Sequence, residues 1–320
     1  MTTIPDPSGR ADFGSAGRAK LAMGNAFGVA SMLTWAAGFP AAEILLESWP
    51  PLTLITARFM IAVAILVPVW LLVDGRAAVF GARWGRGTLM GGICFGFGAY
   101  LLLLAQVYTD PVTVALIASA SPIAATLIEM VTGQRRLRRN FILGLGASVV
   151  GGYVAIGGSG LSPDLSLGAL CAVASSFLFC LGSFAAVRDF PELSPVGRST
   201  ITLAGGCIMT ALLLLGAHLA GFEMRPSRAV AGDQMGLLAI YAVAGMALSQ
   251  VMFIASVGRL GVAVASFHIN ATPFYVMLIM LALGAVWSWP QAIGAAIVGL
   301  GVLLSQRHST LRRPPARPKG

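Results

Sequence analysis

The sequence predicts an all-α integral membrane protein in which ten transmembrane helices form two inverted five-helix repeats around a central cavity. One observation is composition: 57% of the residues are hydrophobic and 10% are charged, and the mean hydropathy is +0.84. Soluble domains are about 45–50% apolar and about 25% charged. The other is that the chain repeats itself at half length. Each half holds an odd number of apolar stretches, which predicts that the second half is inverted relative to the first.

The internal repeat has two offsets that differ only by loop length. Moving residues 24–46 forward by 144 positions aligns Gly24, Ser31 and Gly38 with Gly168, Ser175 and Gly182. Moving residues 115–133 forward by 151 positions aligns Pro122 with Pro273 and Gly133 with Gly284. We therefore predict a first repeat at residues 21–158 and a second at 159–305, with cytoplasmic tails at 1–20 and 306–320.

Ten apolar stretches are long enough to cross a bilayer as helices, which takes about 20 residues. Barrel strands would be about half as long and would alternate in polarity. In order along the chain, the spans are predicted at residues 21–46, 51–73, 87–108, 111–131, 141–158, 166–187, 195–220, 235–257, 261–285 and 289–305.

Small residues and prolines mark several of these spans. GxxxG spacing at Gly24/Gly28 and Gly92/Gly96 predicts close helix packing in the first and third spans. Glycine-rich runs in the fifth and tenth spans predict packing elements or, alternatively, a dimer face. Pro122 and Pro273 lie about 12 residues into the fourth and ninth spans, roughly 18 Å along a helix and near the middle of the bilayer. We predict that they act as hinges or site walls; the alternative is a kink without function.

Basic residues predict the orientation. Of the 21 Lys and Arg residues, 18 fall on one side of the predicted membrane, Arg225 and Arg228 fall on the other, and Arg58 lies inside the second span. This distribution predicts that both termini are cytoplasmic. The net charge of +9 is spread over all the cytoplasmic loops, which argues against a nucleic-acid partner. The polar N-terminal residues do not resemble a signal peptide.

The cysteines do not indicate a metal or redox site. All four fall inside predicted spans, without a CxxC motif or a histidine at metal-ligand spacing. No phosphate-binding loop is present either. We therefore expect no disulfide, no metal and no cofactor. The expected partners are a small-molecule substrate and the lipid bilayer.

Kinked helices at equal depth in both halves predict a binding site at the midplane between the repeats. Trp35 and Phe179 align at the 144 offset near the middle of the first and sixth spans. Aromatic belts normally lie at the membrane interface, so this pair suits an apolar or aromatic substrate group. The alternative is that both rings are simply core packing.

Polar side chains at the same depth complete the predicted site, because polar groups in hydrocarbon face the protein interior. The predicted substrate-binding residues are Trp35, Tyr100, Ser119, Ser121, Phe179, Gln250, His268, Asn270, Thr272 and Tyr275. The side with His268 and Asn270 is the more polar, so amino and carboxyl groups are expected there. The alternative is hydrogen bonding between helices.

Buried charge is scarce in the sequence. No carboxylate lies at the predicted midplane, so proton coupling would need His268 or an off-centre acid. This favours a uniporter or facilitator. Arg58 is expected to pair with Glu43 near the outer side, in a structural role.

These residues resemble the EamA-type branch of the drug/metabolite transporter superfamily over residues 21–305. The resemblance rests on Trp35, Arg58, and the Ser-Pro and Thr-Pro pairs at 121–122 and 272–273 with the glycines that follow them. It departs from the family where a Gly-Glu pair often ends the fourth and ninth helices, because Gln134 and Ala285 stand there. The resemblance implies a bacterial inner-membrane exporter of small metabolites, closest to exporters of neutral and aromatic amino acids. Two five-helix repeats can close a pathway alone, so a monomer is expected.

Other functions stay open at this point. Efflux of drugs or lipophilic cations would use aromatic walls for cation–π contacts, but Met32, Leu33 and Thr34 stand where small multidrug relatives carry a glutamate. An enzyme would need a nucleophile with a base, or a metal. No HExxH or GxSxG motif accompanies His268, so we expect no catalytic residues.

Overall fold

The computed structural model describes residues 15–133, 139–155, 163–228 and 232–306, and all regular secondary structure within them is helical. Most of both predicted tails and the arginine-rich loop at 134–138 lie outside the described residues. Within the described part, eight helical segments are long and apolar enough to cross a membrane: Gly17–Leu46, Pro51–Phe80, Trp84–Tyr108, Pro111–Val131, Ser166–Asp189, Pro195–Leu219, Gly232–Leu260 and Val262–Ala282. Two further helices, Arg139–Ala155 and Trp289–Gln306, lie where the fifth and tenth spans were predicted. The count of ten spans stays a prediction.

Several of these segments are divided into shorter helices. In chain order the helices are α1 (Ser15–Ala36), α2 (Gly38–Leu46), α3 (Pro51–Phe80), α4 (Trp84–Gly91), α5 (Gly98–Tyr108), α6 (Pro111–Ala118), α7 (Ser121–Val131), α8 (Arg139–Ala155), α9 (Pro163–Asp189), α10 (Pro195–Leu219), α11 (Gly232–Ala239), α12 (Ser249–Leu260), α13 (Val262–Ala265), α14 (Thr272–Ala282) and α15 (Trp289–Gln306).

The interruptions occur in pairs. A π-helical stretch joins α4 to α5 at Gly92–Phe97, and another joins α11 to α12 at Ile240–Leu248. A turn separates α6 from α7, and the 3₁₀ stretch Ser266–Ala271 separates α13 from α14. A glycine with positive φ stands two residues after α7 and two residues after α14. These are Gly133, with φ 75°, and Gly284, with φ 96°. Glycine accepts this left-handed conformation without a Cβ penalty.

The second span is longer than predicted. The sequence predicts residues 51–73, whereas α3 continues to Phe80 across a local break at Gly75, which has φ 79° and ψ 170°. Its first turn begins at Pro51, where a missing backbone N–H costs nothing.

Helices of the first half pack in pairs with helices of the second half. α1 packs on α12 and α5 packs on α9, which are the first–eighth and third–sixth pairs of spans. α3 packs on α10, and α8 packs most extensively on α15. This pairing agrees with a two-fold relation between halves, while their inverted orientation stays a prediction.

Glycines permit the closest approaches. A Cβ on Gly91 would lie 2.0 Å from the carbonyl oxygen of Thr202, and one on Gly205 would lie 2.4 Å from that of Thr88. The predicted GxxxG glycines make similar contacts, with Gly28 against the ring of His268 and Gly96 against Gly206. Helix backbones therefore meet almost directly along the α4–α10 contact.

Burial is distributed as expected for a protein surrounded by lipid. Hydroxyl residues such as Ser183 and Thr200 are fully buried, whereas Leu72 is 86% exposed and Val131 is 82% exposed. A soluble protein rarely exposes so much contiguous apolar surface.

Candidate functional site

A cavity lies among the first, second, third, fourth, sixth, seventh and eighth spans. It has about 680 Å³ of empty space, including its open mouth. Small-molecule sites are concave and mostly apolar, with a few polar groups among their lining residues. The lining of this cavity has that character, since apolar side chains outnumber its serines, Arg58 and Gln250.

Equivalent positions of the two halves line this cavity. At the 144 offset the lining pairs are Ser31/Ser175, Met32/Ser176, Trp35/Phe179 and Phe59/Leu203. At the 151 offset they are Cys94/Gly245, Phe95/Met246, Gly98/Ser249, Ala99/Gln250 and Leu102/Phe253. The remaining lining residues, Arg58, Ala118 and Ser121, lack a partner of this kind. The site thus lies where the two halves meet, which is where repeat-based transporters place their substrates.

Aromatic rings form one wall. The rings of Trp35 and Phe179 are within 5° of parallel, and their centroids are 6.3 Å apart. Phe179 also contacts Phe253 at 4.9 Å and Phe95 at 6.0 Å between centroids. Such pairs contribute about 0.5–1.5 kcal/mol beyond their area burial, so Phe179 holds this wall together.

Serine hydroxyls on the cavity wall donate mostly to backbone carbonyls. The Oγ of Ser31 donates to the carbonyl of Ser249 at 2.7 Å, which links the first and eighth spans. The Oγ of Ser176 donates to Ala172 and that of Ser249 to Gly245, each at 2.9 Å and one helical turn back. Their oxygens keep lone pairs that can accept from a ligand.

Arg58 places a guanidinium in the wall, and only 6% of the residue is exposed. Its Nε donates to the carbonyl of Tyr241 at 3.0 Å and its Nη2 to that of Gly245 at 2.6 Å. The guanidinium carbon lies 3.8 Å from the centre of the Tyr241 ring. Both carbonyls belong to the second π-helical stretch. The expected pairing with Glu43 is wrong, because Glu43 instead accepts from Gln106 at 3.1 Å.

A second, smaller cavity of about 270 Å³ shares Trp35 and Arg58 with the first. Gln106 lies on its wall and also donates to the carbonyl of Phe39 at 2.8 Å. Ala99 and Leu102 also line both cavities, so the second cavity directly adjoins the first.

Four of the predicted substrate-binding residues line the central cavity: Trp35, Ser121, Phe179 and Gln250. The hydroxyl of Ser121 donates to the carbonyl of Ala118. That carbonyl lies four residues before Pro122, which has no N–H to offer it. Pro122 and Pro273 stand in the first turns of α7 and α14.

The other six are not among the residues that line either cavity: Tyr100, Ser119, His268, Asn270, Thr272 and Tyr275. Ser119 is buried and donates to the carbonyl of Leu116 at 2.6 Å. His268 packs on Gly28, with Nδ1 3.0 Å from the carbonyl of Ala265. The Asn270 Oδ1 and Thr272 Oγ1 atoms are buried without a hydrogen-bond partner among the described residues.

Sequence reasoning predicted Gln250 but left out other residues of the same face of the eighth span. Gly245, Met246 and Ser249 line the cavity together with Gln250. The 151 offset carries this face onto Cys94, Phe95, Gly98 and Ala99 in the third span. Extending the repeat alignment back from Pro122 would have marked these positions.

Comparisons with known proteins agree with this architecture. Residues 22–157 match the model of the EamA-like transporter family. A solved structure described as "Crystal structure of protein" has a TM-score of 0.68 and 20% sequence identity, over 89% of this chain and 98% of that chain. At that identity the likeness shows the fold alone. No curated protein matches the chain. Residues 22–157 are therefore similar to the EamA-like transporter family, in a chain whose described residues include eight helices long and apolar enough to cross a membrane.

Proposed function

We propose that this protein exports small neutral amino acids, aromatic ones included, across the bacterial inner membrane by alternating access. In this proposal both termini are cytoplasmic and the monomer is the working unit. The similarity of residues 22–157 to the EamA-like transporter family supports a transporter and not an enzyme. The observation that carries the proposal is the central cavity lined by equivalent positions of both halves.

The chemistry of the wall supports a small substrate with an apolar or aromatic side chain. Trp35, Phe179 and Phe253 offer ring faces and edges, and the serines offer hydroxyl groups. Aromatic side chains bury large apolar area and pair with other rings. Among the described residues of the wall, Arg58 is the only charged one, and its positive charge disfavours lipophilic cations as the substrate.

Alternating access would proceed by rocking of the two halves around the cavity. No described side chain of α8 or α15 lines the cavity, and these two helices pack on each other, so the pair is proposed as a packing element on which the other helices move. The backbone interruptions before Pro122 and Pro273 would absorb the change in helix direction.

Counterflow in proteoliposomes tests the proposal, since it needs no knowledge of the driving force. Purified protein is reconstituted, the vesicles are loaded with unlabelled phenylalanine, leucine or alanine, and entry of the same radiolabelled amino acid is followed with and without a pH gradient. We expect saturable entry that does not require the gradient and that falls at least tenfold in Trp35→Ala. Absence of entry for every neutral amino acid with folded protein would contradict the proposal.

A further inference from the structure

The central cavity contains one positive charge and no negative charge. Among the residues that line the two cavities, Arg58 is charged and none is Asp or Glu. We infer that the substrate is held through a carboxylate by Arg58 and Gln250, so that the site accepts carboxylates and rejects amines. This inference rests on the proposed function only in taking the central cavity as the transport site.

Arg58 is held in place but not neutralised. Its Nε and Nη2 groups are fixed by two carbonyls of one π-helical stretch, and its face stacks on Tyr241. Within the described residues, the guanidinium forms no ion pair with a carboxylate. Guanidinium groups stay charged in proteins. A buried charge without a counter-charge is costly, so an anion that enters the cavity relieves that cost.

Close backbone packing fixes the position of the guanidinium further. A Cβ on Gly245 would lie 3.0 Å from the Cα of Gly38 and 3.2 Å from the Arg58 Nη2. The first and eighth spans therefore touch beside Arg58, and the side chain has little freedom to turn away. Preorganised donors bind a carboxylate at a lower entropic cost.

Gln250 offers a second donor on the eighth span, the span that also carries the two carbonyls that hold Arg58. Its Nε2 atom is buried and has no hydrogen-bond partner among the described residues, and the residue is 6% exposed. It follows Gly245 by five residues, about 7.5 Å along a helix. A buried amide without a partner is destabilising unless a ligand satisfies it.

The two donors occur at positions where the halves differ. The counterpart of Gln250 is Ala99, and the counterpart of Arg58 is Thr202, whose hydroxyl donates to Arg198 and Ser199 within α10. The aromatic wall is shared by both halves, whereas the donors are not. One end of the cavity is therefore suited to a carboxylate and the rest to an apolar or aromatic group.

A matched series of ligands tests this assignment. Phenylalanine has both charged groups, 3-phenylpropionate has only the carboxylate, and phenylalaninamide and phenethylamine have only the amine. Binding to the purified protein is measured by calorimetry, and counterflow is measured for each ligand. We expect phenylalanine and 3-phenylpropionate to bind within about threefold of each other and the two amines at least tenfold more weakly. Amines that bind as tightly as phenylalanine would overturn the inference.

Variants separate ligand binding from stability. Gln250→Leu is expected to weaken 3-phenylpropionate binding three- to tenfold without lowering the unfolding temperature, because it removes an unpartnered buried donor. Ser256→Ala is the control, since Ser256 lies on α12 with an unpartnered buried hydroxyl outside the cavity. It should change neither quantity. Arg58→Gln is expected to lose carboxylate binding at least tenfold, and Arg58→Lys to keep part of it. Unchanged affinity in both Gln250→Leu and Arg58→Gln would overturn the inference, and the ligand series decides the matter if Arg58→Gln does not fold.

The outcomes also distinguish this inference from the proposed function. If 3-phenylpropionate is bound and carried but no amino acid is, the carboxylate site stands and amino-acid export is wrong. If phenylalanine and phenethylamine are carried alike, amino-acid transport stands and the carboxylate site is wrong. If no ligand of the series binds to folded protein, the carboxylate site is wrong, and counterflow of leucine and alanine then decides the proposed function.

Discussion

The rings of Trp35 and Phe179 lie within 5° of parallel with centroids 6.3 Å apart, although 144 residues separate them in the chain. They occupy the same position of the repeat, one in the first span and one in the sixth. In the predicted two-fold repeat, side chains at equivalent positions meet only near the axis that relates the halves. Their contact therefore marks the middle of the site.

Phe179 should matter more to transport than a more deeply buried phenylalanine elsewhere. Phe179→Leu removes ring contacts with Trp35, Phe95 and Phe253 and is expected to raise the KM for phenylalanine at least fivefold. The cost in stability should be about 1 kcal/mol, as for other swaps of similar volume.

Phe190→Leu provides the control for this substitution. Phe190 is fully buried, but in a cluster with Trp70 and Ile201 away from the cavity. It should lose similar stability, read as the unfolding temperature in detergent, and keep the KM. Equal KM values in the two variants would argue that the aromatic wall is only packing.

Gly205 should tolerate no side chain. A Cβ there would lie 2.4 Å from the carbonyl oxygen and 2.7 Å from the Cα of Thr88, both backbone atoms that cannot turn aside. Gly205→Ala is expected to destabilise the protein by several kcal/mol, about as much as severe overpacking of a core. The measurement is the yield and unfolding temperature of the purified protein.

Gly216→Ala serves as the comparison on the same helix. A Cβ at Gly216 meets nothing within 4 Å. Alanine has the higher helix propensity, so this variant should be neutral or more stable by up to about 1 kcal/mol. A Gly205→Ala protein as stable as Gly216→Ala would show that α10 and α4 are not in the close contact described.

Asp189 should stabilise the junction between the third and sixth spans. Its carboxylate accepts from Arg86 at 2.8 Å and from Arg188 at 2.6 Å, and its side chain is only 9% exposed. Asp189→Asn is expected to cost about 1.5–3 kcal/mol, the range for hydrogen bonds to charged groups. The unfolding temperature at low and high salt measures this.

Glu192 is the exposed counterpart in the same junction. It pairs with Arg83 at 3.0 Å, but both side chains are about half exposed, 50% and 51%. Glu192→Gln should therefore cost less than about 1 kcal/mol. If it costs as much as Asp189→Asn, burial is not what distinguishes the two ion pairs.

The stability contribution of Glu192 should depend on pH. The pKa of Glu192 is lowered, chiefly because a backbone hydrogen bond of the residue itself stabilises the carboxylate and further because Arg83 donates to it. A lowered pKa in the folded state adds stability above the unfolded pKa of about 4.3, and this is lost as the pH falls through the folded value. Wild type should lose slightly more stability than Glu192→Gln between pH 6 and pH 3. Identical pH profiles would contradict this.

The sequence was a sound guide to the positions of the helices because hydrophobic length and backbone breaks are local properties. Pro51, Pro195, Gly133 and Gly284 act within their own turns, so their roles follow from residue type. The contacts of Arg58 could not be predicted from residue type. Which carbonyls it contacts depends on a π-helical stretch 183 residues further along, and no local pattern specifies that contact.

Among the predicted site residues, Trp35 and Phe179, chosen by the repeat offset, line the cavity, whereas His268, chosen by polarity alone, does not. Trp35 and Phe179 were found because the repeat offset relates them. His268 was chosen because polar groups in hydrocarbon tend to face the interior, and it does so, but against Gly28 and not toward the cavity. Residue type predicts burial, whereas the choice between two buried faces depends on how neighbouring helices are rotated.

The last prediction concerns the backbone break before Pro122. In the structure α6 ends at Ala118 and α7 begins at Ser121, and the Ser121 hydroxyl takes the carbonyl of Ala118 that a residue with an N–H at 122 would otherwise reach. Pro122→Ala restores that N–H and favours a continuous helix. We expect the unfolding temperature to stay or rise, since a helical hydrogen bond is gained, while the rate of counterflow falls severalfold because the segment bends less readily.

Pro68→Ala tests whether this effect belongs to the break or to prolines in general. Pro68 lies on the exposed face of α3, seven residues before the local break at Gly75. Its replacement should also maintain or raise stability but leave the transport rate unchanged. If Pro122→Ala transports at the wild-type rate, the break is a kink without function. If both variants slow transport equally, helix stiffness as a whole limits the rate, and the hinge does not lie at Pro122.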